Sequence, residues 1–182
     1  TNQDVDISSG STLSNDVGLT VRELTGGPYT IDNRGTIEAS NITSNSNPTV
    51  RLEVGTSVDN SGLIDASGSA NLNSILFIDN SGSNSLTNSG TIQTETTGNY
   101  GQAINVQDTS VTEITNSSGG EDFCGSELED AESASYVVTI TDPLTSTDGS
   151  TVLPAGTYGP GSTDNTQYEI HCEDHGDHDH DH

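Results

Sequence analysis

The most chemically pointed stretch of the chain is HCEDHGDHDHDH, residues 171–182, which holds all five histidines: His171, His175, His178, His180 and His182. Side chains alternate along an extended backbone. His178, His180 and His182 then share one face, and Asp177, Asp179 and Asp181 share the other. Two imidazoles two residues apart can reach one Zn2+ or Cu2+ ion, and the carboxylates can complete its shell or take Ca2+ through oxygen. The expected cofactors are therefore divalent metal ions. The alternative is a solvated acidic tail or a purification remnant, although a tag rarely alternates with Asp.

A second acid-rich stretch, GEDFCGSELEDAES at 120–133, contributes Glu121, Asp122, Glu129 and Asp130 as a weaker Ca2+ candidate. Its spacing fits no EF-hand loop, and a solvated linker is the competing reading. Cys124 lies in this stretch and Cys172 in the tail. As the only two cysteines, they most simply form one disulfide in an oxidising compartment, worth about 3–5 kcal/mol by the chain-entropy argument, with a weaker alternative of a Cys–His metal site at Cys172 and His171. Catalysis has little to work with. With every histidine in the tail, no Ser-His-Asp arrangement is credible. The cations Arg22, Arg34 and Arg51 are scattered, and no carboxylate pair stands out for glycoside hydrolysis. The chain reads as a non-enzyme, with a polysaccharide-active β-helix as the least favoured reading.

The elements that must carry these groups are repeats. IDNRGTI (31–37) returns as VDNSGLI (58–64), as LTNSGTI (86–92) and, worn, as ITNSSG (114–119). The anchoring Asn33, Asn60, Asn88 and Asn116 are 27, 28 and 28 residues apart, a period that marks a repeat architecture. Alternation predicts Ile31, Asn33, Gly35 and Ile37 on one face of an extended segment. If one repeat is one turn, the asparagines stack into a ladder of side-chain amides, and the glycines supply bends or close backbone approach. A second apolar segment precedes each later Asn: VRLEV (50–54), ILFI (75–78) and AINV (103–106). Spacing from the asparagine aligns Ile75 with Ala103. IDNSG at 78–82 is out of phase and reads as a corner.

The expected fold is all-β, a short parallel β-solenoid of about four turns with period 27–28 and a small C-terminal β unit. Residues 1–28 form an N-terminal strand and cap, or a strand given to a neighbouring subunit. Residues 29–119 are the solenoid repeats and 120–135 an acidic linker. Residues 136–172 form a small sheet covering one open end, and 173–182 the metal-binding tail.

The NSGTI-type repeat and the run GNYGQAINVQDTSVTEITNSSG (98–119) resemble the right-handed β-solenoid passenger regions of bacterial autotransporters and filamentous-haemagglutinin-like surface proteins. The resemblance spans about residues 29–119 and is to a class of repeat. It implies right-handed coiling and a secreted, elongated surface or matrix role, and it brings no catalytic residues. The present repeats are far fewer than that class carries.

Charge narrows the partners. Against 28 Asp and Glu there are three Arg and no Lys, a formal net charge of −25. A nucleic-acid partner needs a basic patch to replace counterions, and none exists. An anionic membrane is disfavoured for the same reason, and no run has the length of a membrane-spanning helix. Thr1 in place of an initiating Met reads as a processed terminus. Ranked threonines in TIQTETT (91–97) are not kept in the equivalent IEAS and IDAS, which argues against an ice-binding face. Two short glycosylation sequons begin at Asn41 and Asn116. The expected role is a structural subunit of an extracellular filament, matrix or cell-surface assembly. It would self-associate into a homopolymer through solenoid ends and terminal strands, with cations screening the charge and with possible glycan or cell-surface contact. A secreted metal-binding module is the alternative.

Overall fold

The computed structural model describes residues 1–44, 46–69, 72–78, 83–96, 101–107, 111–116, 121–122, 126–127, 137–140, 143–145, 152–158 and 169–170. Among these there are strands, turns and bends and no helix. Apolar slots filled by Ile, Val and Leu at period two, with Ser, Thr and Asp between them, favour a pleated, half-buried backbone.

The strands come in a recurring triple. The first is β1 (Val5–Ile7), β2 (Thr12–Asn15) and β3 (Val21–Glu23), and the second β4 (Tyr29–Asn33), β5 (Thr36–Ile42) and β6 (Val50–Leu52). Next come β7 (Thr56–Asn60), β8 (Leu63–Gly68) and β9 (Leu72–Ile78), then β10 (Asn84–Asn88), β11 (Thr91–Thr96) and β12 (Gly101–Gln107). The later strands are β13 (Val111–Asn116), β14 (Glu121–Asp122), β15 (Ser126–Glu127) and β16 (Val137–Ile140). The last are β17 (Leu144–Thr145), β18 (Val152–Leu153), β19 (Gly156–Tyr158) and β20 (Glu169–Ile170).

Each strand pairs in parallel with its counterpart in the next triple, which builds three sheets: one from β1 to β16, one from β2 to β14 and one from β3 to β15. The result is an all-β solenoid of parallel sheets with about three turns. Two antiparallel strands end the sheets at the C-terminal side, β19 on β16 and β20 on β15, while β17 and β18 form a separate hairpin. Within 120–135, read from sequence as a linker, the two short strands β14 and β15 continue sheets already running. Likewise β16, β19 and β20 of the 136–172 unit add to the solenoid's own sheets.

The core is a set of columns. Val5, Ile31, Val58 and Leu86 stack along the first sheet. Leu13, Ile37, Ile64 and Ile92 stack along the second, and Val21, Val50, Ile75 and Ile104 along the third. All but the half-buried Leu13 are buried, and they form one cluster with Leu52 and Phe77. Each fully buried aliphatic side chain contributes roughly 1.5–3 kcal/mol, so the thin core is sustained by its repetition.

Two details differ from the sequence reading. Ile31 to Ile37 is not one extended segment: β4 ends at Asn33, the chain turns at Arg34 and Gly35, and β5 begins at Thr36 in another sheet. The alternation hid this corner because a tight turn keeps Asn33 and Ile37 both facing inward. Second, Ile75 pairs with Ile104 and not with Ala103. A one-residue slip would turn the whole strand over, and burial of Ile104 decides the register. Residues 79–82 of the out-of-phase IDNSG lie outside the described residues.

Candidate assembly surface

The inward polar residues set the register that the surface depends on. Asn33 donates from Nδ2 to Asn60 Oδ1 at 2.8 Å, and Asn60 donates from Nδ2 to Asn88 Oδ1 at 2.8 Å. Each amide also holds the corner beside it. Asn33 Nδ2 reaches the Leu63 carbonyl at 2.9 Å, and Asn60 Nδ2 reaches the Thr91 carbonyl at 3.1 Å. All three asparagines are buried. The ladder expected at Asn33, Asn60 and Asn88 is therefore present. Asn116 is the backbone register partner of Asn88, and its side chain lies outside the described residues. At the other end the partner of Asn33 is Ile7, which offers no donor, and Asn33 Oδ1 is buried without one. The column stops at the first turn.

The glycine two residues after each asparagine has a steric reason. A Cβ on Gly62 would collide with the Gly35 carbonyl oxygen and stand 2.9 Å from the carbonyl carbons of Arg34 and Gly35. A Cβ on Gly90 would stand 2.6 Å from the Ser61 carbonyl carbon and 2.8 Å from the Gly62 nitrogen. The corners of successive turns touch backbone to backbone.

A second column was missed from sequence. Thr20 and Thr49 donate from Oγ1 to the carbonyls of Glu38 and Asp65, each at 2.7 Å, and Ser74 Oγ donates to the carbonyl of Gln93. Glu38, Asp65 and Gln93 are register partners. Each hydroxyl thus ties the third strand of one triple to the second strand of the next. The signal was a hydroxyl residue directly before Val21, Val50 and Ile75.

All three arginines are engaged in the first two turns. Arg22 Nε lies 2.8 Å from Glu53 Oε2 and Arg51 Nε 3.4 Å from the same oxygen, while Arg34 lies 2.8 Å from Asp6 and 3.9 Å from Asp32. Burial of Glu53 opposes its charge, but the hydrogen bonds from Arg22 and Arg51 outweigh it and hold its carboxyl below the ordinary glutamate value. A depressed folded value means the stabilisation is present above the unfolded pKa of about 4.5 and is lost as pH falls through the lower folded one. Glu53→Gln is therefore expected to lower stability by about 1–2 kcal/mol at pH 7. The gap to the unaltered protein should narrow in unfolding curves taken below pH 4.5; a gap unchanged at pH 3 would refute the assignment.

Glu23, in register with the apolar Leu52, is itself buried. Its carboxylate accepts from the Gln3 amide at 3.0 Å and from the Thr1 hydroxyl. Asn2 Oδ1 accepts from the Leu24 and Thr25 amides at 2.9 and 3.0 Å. The leading residues are thereby folded onto the end of the solenoid. Asn41, of the first sequon, is exposed at an irregularity in β5 with φ of +56°.

The candidate metal ligands His171, His175, Asp177, His178, Asp179, His180, Asp181 and His182 lie outside the described residues, as do Glu129, Asp130, Cys124 and Cys172. Glu121 and Asp122 are placed as β14 by their backbone alone. Among the described residues no three His, Cys, Asp or Glu side chains group in a way that would hold a metal ion. Nor is any helix among them long and apolar enough to cross a membrane.

What the described residues do bring together is sheet edges. Each sheet ends in an edge strand on both sides: β1 and β19, β2 and β14, β3 and β20. At the N-terminal end the three edges lie side by side, that of β3 covered by residues 1–3, next to Val17 and Leu24, the two large exposed apolar residues among those described. No protein-family model matches the chain, and no curated protein or solved structure matches it either. Geometry and charge carry the functional argument.

Proposed function

We propose that this chain is a structural subunit of an extracellular filament, matrix or surface layer, and that it polymerises through its solenoid ends and terminal strands. The observation that carries this reading is that all three sheets end in edge strands at both sides of the solenoid. Exposed edges are templates for further pairing, and a scaffold of stacked turns gives them a fixed orientation. The solenoid is taken as right-handed, because parallel strand–crossover–strand units in one sheet are almost always so. A count of four turns is taken from the sequence period of Asn33 to Asn116, and the register of Asn88 on Asn116 supports it.

Divalent cations, Ca2+ or Zn2+ and Cu2+, would be bound by the His/Asp tail at 171–182 and by the acids at 121–130. There they would screen a charge of −25 that otherwise opposes packing. The repeat resemblance to surface proteins of the autotransporter and filamentous-haemagglutinin kind supports the same location. A non-catalytic role agrees with the engagement of Arg22, Arg34 and Arg51 in ion pairs that tie the scaffold together.

Negative-stain microscopy with Ca2+ and then with EDTA tests the proposal. Elongated polymers in Ca2+ that shorten or disperse with chelator are expected. Discrete single particles in both conditions would overturn the filament and leave a metal-binding module.

A further inference from the structure

We infer that the N-terminal end of the solenoid is a self-pairing face: two copies join head to head through antiparallel pairing of β2 with β2, without any metal. This builds on the structural reading above and names what one of the two ends binds.

The edge itself comes first. Thr36 N donates to the Ser11 carbonyl at 2.9 Å, so Ser11 and, by alternation, Leu13 turn their backbone groups towards β5. Thr12 and Ser14 therefore present N–H and C=O on the open side. Both side chains are exposed. Edge strands are usually protected by charge, proline or a bulge. β1 carries Asp6, and β3 carries Arg22 and Glu23, whereas β2 reads TLSN with none of these. It is also the longest of the three, at four residues against three.

Charge selects the partner. Residues 1–51 hold six Asp and Glu and three Arg, a net of −3, while residues 52–182 hold the other 22 acids and no Lys or Arg, a net of −22. Joining the two near-neutral ends sets no acid-rich edge against another: among the described residues the C-terminal strands β13, β14, β15 and β20 carry Glu113, Glu121, Asp122, Glu127 and Glu169 and no arginine. Head-to-tail contact sets the near-neutral end against the acidic one, and tail-to-tail contact opposes two acidic ones. A two-fold axis through β2 also exchanges the flanking sheets, so β1 of one copy faces residues 1–3, which cover β3, of the other. Val17, 61% exposed just beyond β2, is covered in the same contact. The interface is isologous and closes at two copies. A longer assembly must then use the acidic ends, where cations are required.

Sedimentation equilibrium of the whole chain in EDTA tests this. Twice the monomer mass is expected. Ser14→Pro removes the outward amide and keeps the bonds to β5, since Pro is tolerated where N–H faces solvent. It should halve the mass. Ser14→Glu, which sets like charges across the axis without touching the backbone, should do the same, with circular dichroism and melting unchanged in both. A monomeric parent protein in EDTA overturns the inference, as does a dimer that survives both substitutions. Failure of the filament reading is separate: it shows as no polymer in Ca2+, whatever the mass in EDTA.

Discussion

Replacing Asn60 with alanine is expected to cost about 3–4 kcal/mol of stability, a loss large enough to unfold a marginal domain. The side chain works in both directions. Its Oδ1 accepts from Asn33, and its Nδ2 donates to Asn88 and to the carbonyls of Thr91 and Gly62. Alanine removes all of these inside a core where water cannot replace them, and it leaves a cavity as well. Asn33→Ala should cost markedly less, about 2 kcal/mol, because its Oδ1 has no donor to lose. Urea unfolding of the two variants against the parent protein decides the matter. Equal losses, or less than about 1 kcal/mol for Asn60→Ala, would show that the ladder is decorative.

Gly62→Ala is expected to be at least as damaging, at about 3–5 kcal/mol. The new methyl group would meet the backbone of Arg34 and Gly35 in the turn before it. Backbone cannot rotate aside as a side chain can. Relief requires separating strands that hydrogen bonds hold about 4.8 Å apart, and Ser61 and Gly62 both donate to the Asn33 carbonyl at that corner, at 2.9 and 3.1 Å. Gly10→Ala is the control. Its φ of +82° carries a conformational cost of about 1 kcal/mol, but a Cβ there meets nothing within 4 Å. Thermal melting of the two variants should separate them by roughly 4–16 °C, on the scale of about 2–4 °C per kcal/mol for a chain of this length. Similar melting points would mean that the corner can widen.

The two predictions rest on different parts of the same motif, and the motif was legible because a solenoid returns to the same place each turn. Apart from the end of the column at Asn33, each asparagine meets the environment of the one before, so identical residues recur at the length of one coil. Stacking is also why an asparagine survives in the core: its neighbours above and below are its hydrogen-bond partners. Strands, parallel sheets and the ladder followed from that periodicity alone.

The corner at Arg34 and Gly35 did not follow, because alternation in and out passes through a tight turn unchanged. The register of Ile75 on Ile104 did not follow either. Loops absorb a residue here and there, and only burial of the side chain determines which alignment holds. Along the third sheet, Val21 to Val50 to Ile75 to Ile104 spans 29, 25 and 29 residues, where the first sheet keeps 27 and 28 from Ile31 to Leu86.

The sequence by itself determined the repeat, its length, the asparagine column and the concentration of acid from residue 52 onward. Those properties belong to residue types at a fixed spacing. Only the tertiary structure decided that Thr20, Thr49 and Ser74 tie neighbouring sheets, that Arg22 and Arg51 converge on Glu53, and that β1, β2 and β3 share one end. The hydroxyl ties and the Arg22–Glu53 pair join residues 16 to 31 positions apart, and the three edges come from strands in successive parts of the chain. Such distances are set by how the chain coils in space and not by any local pattern.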